Sequence, residues 1–416
     1  MKNKISAGNL IELARNYQTP LWVYDAQCIR DNIQKLKQFD VIRYAQKACS
    51  NLNILGIMKE CGVYVDAVSL GEIKRAINVG FSSKCDKHGV AAIVFTADVF
   101  DRETLSFVVA NLIETNVGSI DMLHQLGKLS PGHRVWLRVN PGFGHGHSNK
   151  TNTGGINSKH GIWHEQIADA LKIACQYNLH VVGIHMHIGS GVDYSHLKRV
   201  CDSMTDCVIK HQIKVEAISA GGGLSVPYRP DETEVDVKNY YDLWNAARNK
   251  LEDKFSTAIR LEIEPGRFLV ANSGLLISEV RATKYMGEKH FTLVDAGFND
   301  LIRPSLYGSY HHISAISAEE GEYSLSKMHK TVVAGPLCES GDVFTQNSEG
   351  IVEERELPAV NVGDYLVFHD SGAYGASMSS NYNSRPLSAE YLLDGDKSKL
   401  IRKRQTHADL ISKEII

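Results

Sequence analysis

Val41-Ile42-Arg43-Tyr44-Ala45-Gln46-Lys47-Ala48 decides the fold. Val41–Tyr44 is a short apolar run of strand length, and it stops just before a lysine. Seven further runs of the same kind follow: Val63–Val68, Ala92–Thr96, Val117–Ile120, Arg134–Val139, Val181–His187, Val215–Ser219 and Ile259–Glu264. Helical patterns lie between most of them, for example Leu70–Val79 and Ile167–Tyr177. Strands alternating with helices imply parallel pairing. Eight such repeats predict a closed, TIM-like eight-stranded β/α barrel, since open doubly wound sheets usually have fewer strands.

Barrel enzymes carry their chemistry at the C-terminal ends of the strands. Here Lys47 follows strand one, and Ser69, Gly71 and Glu72 follow strand two. Arg138 closes strand five, and His187-Ile188-Gly189-Ser190-Gly191 ends strand six. Gly221-Gly222-Gly223 follows strand seven, and Glu264-Pro265-Gly266-Arg267 ends strand eight. Taken singly, each has an ordinary reading: a solvated lysine, a tight turn, a structural ion-pair partner. Together on one rim they suggest more. The backbone amides of a glycine turn can nest a phosphate, and a lysine facing that nest and a buried acid is what a Schiff-base cofactor needs. His185 and His187 raise the question of a metal. Two residues apart on a strand they share a face, but the remaining ligands of a metal site are not in view, so none is expected.

Between strands five and six lies Pro141-Gly142-Phe143-Gly144-His145-Gly146-His147 and then Ser148 to Gly161, a polar, glycine-rich stretch. Long loops of this kind are usually functional, and residues 141–161 read as a mobile flap over the site. After about Ala271 helical periodicity fades. Alternating patterns at Leu275–Thr283, His290–Val294, Lys330–Val333 and Asp364–His369 predict a mostly β domain. Leu21–Tyr24 has no place in the eightfold count and is assigned to that domain. The expected division is 1–30 as an N-terminal segment lending a strand to the β domain, 31–270 as the barrel, and 271–416 as the β domain.

A chain of 416 residues suits two domains, and 43% apolar with 22% charged residues is ordinary for a globular protein. The net charge of −3 comes without a basic stripe, which argues against nucleic acid or a membrane surface as partner. The N-terminal residues show no signal-peptide core, and no apolar run is long enough to span a bilayer. Eight cysteines without regular spacing indicate neither a disulfide framework nor a zinc knuckle, and a reducing cytoplasm fits them.

Several stretches, in this order and spacing, resemble the fold-type III pyridoxal-phosphate decarboxylases, and among them the branch acting on diaminopimelate. They are Tyr44-Ala45-Gln46-Lys47-Ala48, Val65-Asp66-Ala67-Val68-Ser69, His185-Met186-His187-Ile188-Gly189-Ser190 and Glu264-Pro265-Gly266-Arg267. Gly335-Pro336-Leu337-Cys338-Glu339-Ser340 and Ser371-Gly372-Ala373-Tyr374-Gly375 complete the set. The likeness runs nearly end to end. It implies an alanine-racemase-like fold and pyridoxal 5'-phosphate as cofactor, anchored on Lys47. It further implies His187 stacked on the cofactor ring, Glu264 at the pyridine nitrogen, and Ser190, Gly222, Gly223, Gly266, Arg267 and Tyr374 around the phosphate. Arg267, Arg303, Tyr307, Glu339 and Tyr374 would bind substrate. In this family the Cys338–Glu339 loop enters the site of a second subunit, so the resemblance implies a homodimer with shared active sites.

The expected reaction is conversion of meso-2,6-diaminopimelate to L-lysine and carbon dioxide, the last step of lysine synthesis, with Cys338 a plausible proton donor. The substrate's distal end carries a carboxylate for Arg303 and Arg267 and an ammonium for Glu339. Many relatives have Lys-Phe-Gly where this chain has Lys159-His160-Gly161, so the role of residue 160 stays open. Three rivals remain: a decarboxylase of another basic amino acid, a non-catalytic homologue, and a metal-dependent barrel hydrolase.

Overall fold

The structure, a computed structural model, describes residues 5–144, 153–187, 189, 191, 193–319, 321–322 and 328–415. Two compact units are present. One comprises residues 32–225 and 234–268; the other comprises 1–31, 226–233 and 269–416.

The first unit is the barrel. Its strands are Val41–Ala45, Tyr64–Ala67, Ile93–Ala97, Glu114–Val117, Arg134–Asn140, His180–His185, Ala217–Ser219 and Arg260–Ile263. Each lies parallel to its neighbours, and the last closes on the first with Glu262 beside Val41. The fourth strand corrects the sequence reading. It spans Glu114–Val117, not Val117–Ile120, and Ile120 begins the following helix, Ile120–Leu129. Polar side chains misled the assignment, because Glu114, Thr115 and Asn116 are all buried.

Sequence chemistry sets where the helices start. Ser69, Asp101 and Ser119 cap Leu70–Asn78, Arg102–Asn111 and Ile120–Leu129. Each side chain accepts an amide hydrogen bond three residues on, from Glu72 at 3.2 Å, Thr104 at 2.7 Å and Met122 at 3.3 Å. With a capping residue so soon after the strand, the connection is short and the rim is compact. The opposite, N-terminal end carries a charge network. Arg134 bridges Glu114 at 2.8 Å and Glu216 at 2.9 Å, and Trp136 Nε1 donates to Glu114 at 2.7 Å. Deeper in, buried Arg43 meets buried Glu262 at 2.6 Å.

The second unit is a mostly β structure. Leu21–Asp25 lies between Gly274–Met286, antiparallel, and Ala389–Asp394, parallel. Tyr365–Phe368 pairs on the other side of Gly274–Met286, followed by Ile313–Ser317 and the two-residue Gly321–Glu322. Beyond a bulge at Val280/Ala282 the long strand continues and pairs with Lys289–Val294, which leads to Met328–Ala334 and Arg355–Pro358. Lys397–Arg402 forms one edge. The helix Ala7–Tyr17 packs Leu10, Leu13 and Ala14 onto Leu21, Val23, Ile277 and Val367. No helix among the described residues is long and apolar enough to cross a membrane.

Candidate active site

The rim of the barrel is assembled turn against turn. Lys47, exposed, sits in the 3-10 turn Gln46–Ala48 that follows strand one. The Ala45 amide donates to the Pro265 carbonyl at 3.1 Å, and a Cβ on Gly266 would stand 3.0 Å from the Ala45 carbonyl oxygen. The lysine turn and the Glu264–Arg267 turn are therefore packed backbone to backbone. The Glu264 amide donates to Gly221 at 2.8 Å, and the Gly191 amide donates to Gly223 at 3.0 Å. These bonds link the turns after strands six, seven, eight and one.

The glycines of this rim are there for space. A Cβ on Gly222 would fall 2.5 Å from the Glu264 carbonyl oxygen, and one on Gly223 2.4 Å from that of Gly189. Gly223 also has φ +100°, a conformation side chains disfavour. A small cavity here is lined by His187, Gly189, Gly191, Gly222 and Gly223, with Trp244 and Tyr240 behind. The Gly222 amide donates to His187 Nδ1 at 3.2 Å, so that nitrogen bears the lone pair. Burial, with the charges of Arg138 and Lys47, pushes His187 well below the usual imidazole value, and its ring is neutral. Ser190 lies outside the described residues, as do His145 and His147.

Glu264 is the electrostatic centre. Its Oε2 accepts from His185 Nε2 at 2.8 Å and its Oε1 from Ser219 Oγ at 2.9 Å. Burial alone would raise its pKa. The opposing pull of His185 and the Ser219 hydroxyl wins and holds the carboxyl down at about 2. Asp66, at the end of strand two, goes the other way. Burial and the nearby Glu264 charge push it up to about 6. Burial drives Glu72 up to about 7, although the Val68 amide donates to it at 2.8 Å. Groups of one type are thus pushed apart by their surroundings, a pattern typical of acid–base sites.

His185 is thus the hydrogen-bond partner of Glu264. Among the described residues no three His, Cys, Asp or Glu side chains cluster to hold a metal ion. Residue 160 also acquires a contact. His160 Nδ1 lies 2.5 Å from Asp98 Oδ2, and the Gly161 amide donates to Asp98 Oδ1 at 2.9 Å. Asp98 follows strand three, and despite its burial these bonds and Arg138 hold it below the ordinary carboxylate value. Asn140 accepts from the Gly142 and Gly155 amides, and Thr153 Oγ donates to the His187 carbonyl at 3.0 Å. The described flanks of the 141–161 stretch are thus fastened to the rim; residues 145–152, the middle of the expected flap, lie outside the description.

The remaining expected residues belong to the β unit. Arg303 opens the short helix Arg303–Tyr307, where it is buried and Tyr307 is half-buried. Cys338 and Glu339 lie exposed on a turn tied by Asp342, which accepts from the Leu337 and Phe298 amides at 2.7 Å each. The Cys338 amide donates to Asn383 Oδ1 at 2.9 Å. Tyr374 has φ +58°, a strained value for a tyrosine. Its tight loop depends on Gly372, where a Cβ would lie 2.0 Å from the Val270 carbonyl oxygen.

Residues 26–271 match the family described as pyridoxal-dependent decarboxylase, pyridoxal binding domain. The chain is 59% identical to the diaminopimelate decarboxylase of Escherichia coli over 412 residues, covering 99% of this chain and 97% of that one. A crystal structure of diaminopimelate decarboxylase superposes with a TM-score of 0.94 at 60% identity, over 99% of this chain and 97% of the other. A diaminopimelate decarboxylase from Helicobacter pylori complexed with L-lysine gives 0.87 at 31% identity, over 98% and 99% of the two chains.

Proposed function

The chain belongs to the diaminopimelate decarboxylases, within the pyridoxal-dependent decarboxylases, and from that premise we propose that it converts meso-2,6-diaminopimelate to L-lysine and carbon dioxide, the final step of lysine biosynthesis. The observation that carries this reading is full-length identity of 59% combined with a buried carboxylate, Glu264, kept ionised by His185 and Ser219.

Two features of the rim fit pyridoxal phosphate. The Gly222–Gly223 turn admits no Cβ and offers backbone, as a phosphate nest requires. A carboxylate held near a pKa of 2 suits a protonated pyridine nitrogen. When bound, the cofactor supplies an electron sink for the charge left at the substrate's α-carbon as carbon dioxide departs. Lys47 would hold it covalently through its amine and His187 would pack on its ring. Gly222, Gly223, Gly266, Arg267 and Tyr374, with Ser190, would surround the phosphate. Glu264 would keep a proton on the pyridine nitrogen.

For the substrate, Arg303 with Arg267 would meet the distal carboxylate and Glu339 the distal ammonium, with Tyr307 and Tyr374 beside them. A charge-assisted hydrogen bond is worth about 1.5–3 kcal/mol, so losing one would cost roughly one to two decades. Ornithine, without a distal carboxylate, would leave an arginine desolvated and unmatched. Cys338 would deliver a proton from Sγ to the product's α-carbon. The Cys338–Glu339 turn would do this in the site of a second copy, making the working enzyme a homodimer. The reading places it in the cytoplasm.

Borohydride reduction of the holoenzyme and peptide mapping test the anchor. A pyridoxyl group on Lys47 is the expected result, and one on another lysine overturns the assignment. Carbon dioxide release from separated diaminopimelate isomers, ornithine and arginine tests the substrate. Equal turnover on ornithine overturns it.

A further inference from the structure

The guanidinium of Arg303 is held from two directions within the β unit. In its own plane, Nη1 donates to His311 Nε2 at 2.9 Å. Its guanidinium carbon also lies over the ring of Tyr228, 4.7 Å from the centroid. We propose that His311 and Tyr228 are positioning residues that orient Arg303 toward the substrate's distal carboxylate, an inference that rests on the role given to Arg303 above.

The direction of each bond follows from donor and acceptor counts. A guanidinium can only donate, so His311 Nε2 must present its lone pair. That requires the hydrogen on Nδ1, and Nδ1 stands 2.9 Å from the carbonyl oxygen of His369, which can only accept. The Ser371 hydroxyl, 3.3 Å from Nδ1, has the Phe368 and His369 carbonyls 3.0 Å away to take its own hydrogen. The backbone of strand Tyr365–Phe368 and the loop after it thus select the tautomer that Arg303 needs. His311 is 2% exposed and Arg303 5%, so water does not compete for this bond.

Tyr228 fixes the remaining freedom. The guanidinium carbon lies over its ring, which meets the His311 ring edge-on, with centroids 5.5 Å apart at 76°. The hydrogen bond stops rotation of the fork, and the cation–π contact holds it against the ring. Nearby, the guanidinium carbons of Arg355 and Arg229 lie over the Tyr310 ring at 3.9 Å and 4.6 Å, adding positive charge suited to a carboxylate. A planar fork set in advance makes a two-point carboxylate contact without ordering cost on binding.

Steady-state kinetics on the holoenzyme with diaminopimelate test this. His311→Phe keeps the ring volume and removes the acceptor. It should raise KM about tenfold, as expected for one lost hydrogen bond to a charged group, while kcat stays within about threefold. His311→Gln, whose side-chain oxygen can accept, should return KM to within about threefold of the parent. Tyr228→Leu should raise KM in the same sense. Combined with Arg303→Met, neither substitution should add a further effect, because both act through Arg303.

If Arg303→Met raises KM and His311→Phe and Tyr228→Leu do not, positioning is overturned and Arg303 keeps its role. If Arg303→Met leaves KM unchanged, the role of Arg303 itself is wrong. Equal loss of kcat in His311→Phe and His311→Gln with KM unmoved would make His311 structural and also overturn the proposal. Should His311→Phe fail to fold, Tyr228→Leu decides: raised KM at constant kcat supports the inference, and unchanged KM overturns it.

Discussion

His185 Nε2 and Glu264 Oε2 face each other at 2.8 Å in the buried rim of the barrel. His185 ends strand six and Glu264 follows strand eight, so barrel closure brings together residues 79 apart in the chain. The pair keeps a carboxylate ionised where burial would neutralise it.

Glu264→Gln tests the point in two ways. Turnover should fall by about two decades or more, as when a preorganised charge is removed from an active site. Stability should fall too, by about 2 kcal/mol at neutral pH for the lost charged hydrogen bonds. The native carboxyl titrates at about 2 against an ordinary 4.5, so its contribution is complete above pH 4.5 and disappears as pH falls toward 2. Urea unfolding of parent and variant should give a constant gap from pH 8 to 5 that narrows below 4.5. A gap unchanged at pH 3 would contradict the assignment.

Gly223→Ala should weaken binding of pyridoxal phosphate by roughly ten- to hundredfold, since backbone strain of this kind is worth about 1–3 kcal/mol. Absorbance titration of the apoenzyme measures it. Gly56→Ala is the control. That glycine lies in helix Leu52–Glu60 with nothing within 4 Å of an added Cβ, and alanine there should stabilise by about 0.5–1 kcal/mol without changing cofactor affinity.

Removing one member of the buried Arg43–Glu262 pair leaves a charge without its mate. Glu262→Ala should destabilise the protein by about 3–5 kcal/mol in chemical denaturation.

Asp98→Ala should release the Gly161 amide and the His160 ring together. Hydrogen exchange at Gly161 should accelerate by about tenfold or more, following the loss of a bond worth about 1.5 kcal/mol or more. Unaltered exchange there would show that Asp98 does not fasten this stretch.

The barrel was readable because seven of its strands are apolar runs separated by capped helices. Its fourth strand was not, since Glu114 and Asn116 are polar yet buried, and Glu114 is satisfied by Arg134 and Trp136 from the next strand. A single sequence shows the polarity of a residue but not its partner. In the β unit, Ala389–Asp394 hides Glu390 beneath Arg402, and Lys397–Arg402 is a charged edge, so neither alternates as a half-buried strand does. His185 and His187 part company for a local reason. Residues two apart share a face only while the strand continues, and this one stops at His185. His185 turns to Glu264, while His187 meets the Gly222 amide.

Leu21–Asp25 precedes the barrel segment in the chain, yet it sits between Gly274–Met286 and Ala389–Asp394, which both follow that segment. During synthesis the barrel segment emerges in between, while this early strand has no neighbour to pair with. A chain stalled or truncated before residue 389 leaves one edge of that strand open, an invitation to aggregation. The same adjacency brings strands from before and after the barrel segment into one sheet. Were those strands contiguous in the chain, the β unit could form before the barrel is complete.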